Sequence, residues 1–159
     1  MSTTVTAQEF LAKSIELATA NVLNSGGPFG AVIVTADGQA FDGVNRVTAT
    51  NDPTAHAEVT AIRRACSELG TFDLTGATLY TSCEPCPMCL GAIYWARPRA
   101  VFFSATRQDA AAAGFDDAFV YDELALPPSA RTLPMRRVVH PAAAGPFAAW
   151  AAKPDRVEY

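Results

Sequence analysis

Apolar residues recur at Leu11, Ile15, Ala18 and Val22, a spacing that predicts an amphipathic helix over residues 8–23. Ser25-Gly26-Gly27-Pro28 breaks it. The period then changes. Residues 29–35 carry Ala-Val-Ile-Val at their centre and read as a buried strand, Asp37-Gly38 turns the chain, and residues 39–46 return as a second strand. Asn51-Asp52-Pro53-Thr54 combines cap-type residues with an early proline and marks a helix start. That helix is expected to reach about Leu69 and stop at Gly70. Residues 78–82 and 100–104 read as strands, with a helix between them that opens at Pro85 or Pro87 and ends before Pro98. Further on, residues 108–113 read as a helix stopped by Gly114, residues 136–140 as a strand, and residues 147–156 as a terminal helix. A hairpin followed by strands alternating with helices predicts a layered α/β domain with a mixed sheet.

At 159 residues, half of them apolar and 18% charged, the chain fits one soluble domain. Leu126-Pro127-Pro128-Ser129 is a loop rather than a linker, because too little chain follows it to fold alone. Residues 1–10 lack a basic start followed by an apolar run, and no apolar stretch approaches spanning length. A cytoplasmic protein without a membrane partner is the expectation. The net charge is -4, with lysine only at Lys13 and Lys153 and ten scattered arginines. That balance suits a small, weakly charged substrate better than a nucleic acid, which usually meets a basic face.

The chemistry concentrates in two short motifs, His56-Ala57-Glu58 and Pro85-Cys86-Pro87-Met88-Cys89. Both fall where a helix begins. Cys86 and Cys89 are three apart and face the same way, and a helix N-terminus stabilises the thiolates that zinc requires. With His56 they make three ligands, and a catalytic zinc keeps its fourth position open for water. Cys83 forms a second C-x-x-C pair with Cys86, but the proline before Cys86 favours the later pair, which leaves Cys83 as a buried strand-end residue. His140, the other histidine, stands beside Pro141 with no ligand-like neighbours. Disulfide pairing of the four cysteines is the plain alternative, and cytosolic thiols are normally reduced.

Glu58 decides between a catalytic and a closed structural site, the latter needing Cys83 or Cys66 as a fourth ligand. On a helical wheel Glu58 shares the core-facing stripe with Ile62, Ala65, Cys66 and Leu69. A carboxyl group buried there has a raised pKa and suits proton transfer. His56 lies off that stripe and is expected on the irregular first turn. Together these residues fit the H-x-E…P-C-x-x-C signature of zinc-dependent nucleobase deaminases, and hydrolytic deamination is the expected reaction.

Longer stretches carry a resemblance. NDPTAHAEVTAIRRAC, LYTSCEPCPMCLGAIYWARPRAVF and AAAAGFDDAFVYDE, with GGPFGAVIV and the closing Tyr159, resemble the bacterial guanine deaminases of the cytidine-deaminase-like superfamily over nearly the whole chain. The resemblance implies a three-layer α/β/α domain around a mixed five-stranded sheet, and conversion of guanine to xanthine and ammonia by attack at C2. It implies one zinc ion per subunit on His56, Cys86 and Cys89, with Glu58 as proton shuttle. It implies a purine pocket of Phe29, Asn45, Ala57, Trp95, Asp117 and Tyr159, with Glu123 as a second acid. It also implies a homodimer in which about residues 141–159 are exchanged with, or packed on, a partner subunit. Without the resemblance, Asn45 reads as a turn residue, Phe29 as core, Trp95 as a cover for its helix and Asp116-Asp117 as a helix cap. The competing substrates are guanosine, ammeline, cytosine and tRNA adenosine (NDPTAHAE is also similar to tRNA adenosine deaminases). A zinc scaffold without turnover is the rival outside enzymology.

Overall fold

The structure, a computed structural model, describes residues 3–159, so Met1 and Ser2 of the polar start lie outside the described residues. The elements are α1 (Thr3–Leu23), β1 (Gly30–Val34), β2 (Ala40–Val44), the single turn α2 (Val47–Thr50), α3 (Ala57–Leu69), β3 (Thr78–Cys83), α4 (Pro87–Ala96) and β4 (Ala100–Ala105). After them come α5 (Arg107–Ala112), α6 (Ala118–Ala125), a 3-10 turn (Pro128–Ala130) and α7 (Gly145–Ala152). They fall into two compact units, one ending at Asp117 and the other covering Ala118–Tyr159. No described helix is long and apolar enough to cross a membrane.

In the first unit the strands form a mixed sheet in the order β2-β1-β3-β4. β1 runs antiparallel to both β2 and β3, while β4 is parallel to β3. Ala31 pairs with Gly43 on one side and Thr81 on the other, which puts these three residues on one face. α3 presses on that face so closely that a Cβ at Gly43 would stand 2.4 Å from the Ala57 carbonyl oxygen. Gly30 faces the other way, and a Cβ there would stand 2.3 Å from the Ser14 carbonyl oxygen of α1. Helices therefore cover both faces, and the central strands are buried: every residue of β3 and all of β1 except Val34. The main core joins Ala31, Ile33, Phe41 and Leu79 to the α3 alanines Ala57, Ala61 and Ala65 and to Ile93 of α4.

The α/β class and mixed sheet stand, but the described residues form four strands rather than five. Residues 136–140, expected as a strand, are irregular, and Val138 and Val139 are 85% and 78% exposed. With no neighbouring strand to accept their backbone groups, two β-branched residues are not enough to make a strand. The helix expected from Asn51 begins only at Ala57. Asn51 instead ends α2 in the left-handed region, and the Asp52 carboxylate accepts from the Thr54 backbone N–H at 2.8 Å and from its hydroxyl at 2.7 Å. This local turn captures the residues that would otherwise have opened the helix. α7 stops at Ala152 because Pro154 disfavours a helical residue before it. α6 has no counterpart among the expected elements.

The second unit has no buried residue. Its local order comes from polar contacts. Arg131 donates to the carbonyl oxygens of Glu123 and Leu126 at the end of α6, and the Glu123 carboxylate accepts from the Thr132 N–H at 2.8 Å.

Candidate metal centre and active site

His56 caps α3 and Cys86 caps α4, both with extended backbone, so each half of the split motif sits at a helix N-terminus. The Cys86 sulfur accepts from the Cys89 backbone N–H at 3.4 Å. His56 Nδ1 stands 3.5 Å from each of the Cys86 and Cys89 sulfurs. These three residues form a group whose ligand atoms all lie within 4.8 Å of one another. Cys66 and Cys83 are outside it, and the Cys83 thiol donates to the Thr106 carbonyl oxygen at 3.6 Å. Among the described residues the group is thus three ligands without a fourth.

The donor chemistry fits zinc. The hydrogen bond from Cys89, aided by His56, holds the Cys86 thiol down at about 4, against an ordinary value near that of a free thiol. Cys89 is pushed upward, first by its contact with Cys86 and then by burial. The contact with Cys86 raises the His56 imidazole pKa, partly opposed by burial. One imidazole and two thiolates make an electroneutral set for a dication, and zinc accepts these atoms.

Glu58, in the first turn of α3, is 6% exposed. Its two oxygens are held from different elements: Oε1 accepts from the Thr81 hydroxyl on β3 at 3.2 Å, and Oε2 accepts from the Cys89 thiol at 3.4 Å. Burial raises its pKa, and the hydrogen bonds only partly offset this. The carboxyl group therefore lies beside the three-ligand cluster without belonging to it.

A cavity of about 550 Å³ opens over this centre. His56, Glu58 and Cys86 line it, and so do three residues expected to read a substrate: Phe29, Asn45 and Asp117. The Asn45 side-chain oxygen accepts from the Val47 N–H at 3.3 Å. Phe29 meets Phe115 edge to face, with centroids 5.0 Å apart, and the pair makes an aromatic wall. Burial raises the Asp117 pKa, and the nearby Cys86 charge adds to it while Arg107 opposes it. Ala57 is fully buried at the first turn of α3. Trp95 lies on α4, 65% exposed, and is not part of the cavity lining. Glu123 and Tyr159 belong to the second unit.

Sequence reasoning missed Glu84, Arg107 and Phe115 in the lining. Glu84 accepts from the Arg107 N–H at 3.0 Å, which ties the end of β3 to the start of α5. Its place inside the C-E-P-C string was the available signal. It also missed Thr81, whose role depends on strand register.

Comparison with known proteins agrees with this site. Residues 4–105 match the cytidine and deoxycytidylate deaminase zinc-binding region. The chain is 54% identical over 153 residues to guanine deaminase of Bacillus subtilis, covering 96% of this chain and 98% of that one. The crystal structure of Bacillus subtilis guanine deaminase superposes with a TM-score of 0.93 at 55% identity, over 96% of this chain and 98% of the other. A guanine deaminase structure from Nitrosomonas europaea gives 0.64 at 36% identity, over 68% and 63%. The tRNA-specific adenosine deaminase of Agrobacterium fabrum is 46% identical over only 49% of this chain and 51% of its own. With the motif, the three-ligand cluster and the fold in agreement, the chain belongs to the cytidine and deoxycytidylate deaminase zinc-binding family.

Proposed function

We propose that this protein is a zinc-dependent guanine deaminase, converting guanine and water to xanthine and ammonia. The buried Glu58 carboxyl, held beside a three-ligand cluster in the floor of a cavity, carries the reaction class. The substrate follows from the similarity to a guanine deaminase over almost the full length of both chains. One zinc ion per subunit on His56, Cys86 and Cys89 supplies, when bound, the Lewis acidity that lets water act as a nucleophile at neutral pH.

The chain's own groups do the rest. Asn45 donates to an acceptor on the purine edge, and the Asp117 carboxylate accepts from purine N–H groups, which favours a donor-rich base. The Ala57 backbone N–H offers a further donor at the α3 N-terminus. Phe29 packs on the ring. Glu58 takes a proton from the attacking water as the C2–O bond forms and passes it to the adjacent ring nitrogen. It then takes the remaining proton from the C2 hydroxyl, as C2=O forms, and delivers it to the exocyclic amine. The C2–N bond then breaks and ammonia leaves. A raised pKa suits Glu58 to both halves of that exchange.

The protein acts as a homodimer. The absence of any buried residue in 118–159 supports packing of this arm on a partner subunit, since 42 residues without a buried one among them cannot hold themselves together. In that arrangement Tyr159 closes over a pocket, Trp95 contributes to its wall, and Glu123 is a second acid of the site. Ammonia and product should be measured with guanine, guanosine, cytosine, adenine and ammeline. Release from guanine in preference to the others is expected; release from another base with none from guanine would reject the substrate.

A further inference from the structure

Asn21 has no part in the motifs, yet two walls of the cavity meet on it. It sits two residues before the end of α1 and is 9% exposed. Its side-chain nitrogen donates to the Gly27 carbonyl oxygen and to the Asn45 carbonyl oxygen, each at 2.8 Å. Its own carbonyl oxygen accepts from the Gly26 N–H at 2.8 Å. One residue therefore binds the Gly26–Gly27 turn and the Asn45 backbone, which are joined again where the Asn45 N–H donates to the Phe29 carbonyl oxygen at 3.1 Å. The two glycines make room for this. A Cβ at Gly26 would lie 2.3 Å from the Asn21 amide nitrogen, and one at Gly27 would lie 3.0 Å from the Asn45 side chain. The glycine pair is thus more than a helix breaker: it lets two carboxamides stack against the turn.

We propose that Asn21 is a positioning residue for purine recognition, a carboxamide clamp that fixes Asn45 and the Gly27–Phe29 wall relative to each other. This rests on the reading that Asn45 contacts the purine. Both hydrogen bonds come from one NH2 group, so Asn21→Asp keeps the shape and removes both donors. The clamp touches neither Glu58 nor the three ligands, so its loss weakens binding and leaves the chemical step alone.

Steady-state kinetics with guanine, metal content and melting should be compared for the zinc-loaded wild type, Asn21→Asp, Asn45→Ala and the double variant. Asn21→Asp should raise KM about tenfold, with kcat within about twofold and zinc per chain unchanged, the pattern of lost ground-state binding. The double variant should show far less than the product of the two single effects, because Asn21 acts through Asn45. Gly26→Ala, which drives a methyl group into the Asn21 amide, tests the clamp from the other side and should reproduce the KM rise even where Asn21→Asp does not fold. An unchanged KM in Asn21→Asp or in Gly26→Ala, a lowered melting temperature with kcat and zinc falling in step, or independent effects in the double variant would each overturn the clamp. An unchanged KM in Asn45→Ala would overturn the reading of Asn45 beneath it.

Discussion

At Glu58 burial and chemistry act together. A carboxyl group in the core is costly, and this one is retained with a hydroxyl on one oxygen and a thiol on the other. Glu58→Gln keeps the size and removes the base. Ammonia release from guanine should fall about 10²–10⁴-fold while zinc per chain stays unchanged, as read by steady-state rates and metal analysis. A zinc scaffold would be indifferent to that change. Cys86→Ser acts on a ligand instead, and loss of zinc should accompany loss of turnover. Chelation of the wild-type protein should abolish ammonia release and lower the melting temperature, with zinc restoring both, because only the folded chain assembles the three ligands. Failure of zinc to restore the melting temperature would argue against a metal centre.

Among the elements, α3 carries most of the burden: it bears His56 at its cap, Glu58 in its first turn and the alanine stripe against the sheet. Its distance from β2 is set by Gly43, where a methyl group would meet the backbone of Ala57 and Ala61. Gly43→Ala is expected to cost about 1–3 kcal/mol in chemical denaturation and to lower kcat, since it pushes the helix that aims Glu58. α5 shows a smaller device. Thr106 accepts from the Asp109 N–H at 3.2 Å, while the Asp109 carboxylate accepts from the Thr106 N–H at 2.8 Å and hydroxyl at 2.9 Å, a reciprocal cap. Thr106→Ala should cost about 1 kcal/mol. The cap bonds from Thr106 hold the Asp109 carboxyl below its ordinary value. Its stabilising effect is present above the unfolded carboxylate pKa and is lost as pH falls through the folded one. The stability gap between wild type and Asp109→Asn should therefore close in acid, and a gap independent of pH would count against the cap.

For the molecule as a whole, the contrast between the two units is the main feature. Residues up to Asp117 enclose a core on both faces of a sheet, whereas 118–159 place Phe119, Leu133, Phe147 and Trp150 in solvent. Apolar exposure on that scale marks a surface meant to be covered. Light scattering of the purified protein should report a dimer. Removal of the last three residues, 157–159, should cripple guanine turnover and leave zinc binding intact; unchanged kinetics would take Tyr159 out of the site.

The grouping of His56, Cys86 and Cys89 and the burial of Glu58 were legible in the chain because they depend on local order: two helix starts, each with its polar residues at fixed spacing. The same holds for β1 and β4, whose apolar runs declare themselves, and for β2, which follows the Asp37-Gly38 turn. Tertiary contact decided the rest. Residues 136–140 have strand-like composition, but a strand exists only where a neighbour pairs with it. Asn51–Thr54 has helix-start composition, but the Asp52 turn claimed those residues first. Thr81, Glu84, Asn21 and Phe115 act through partners at least 23 positions away or across the sheet register, or through two loops at once, and no period along one chain encodes such meetings. Chemistry that rides on a helix terminus is written locally; the walls that hold a substrate against it are assembled only when distant segments pack.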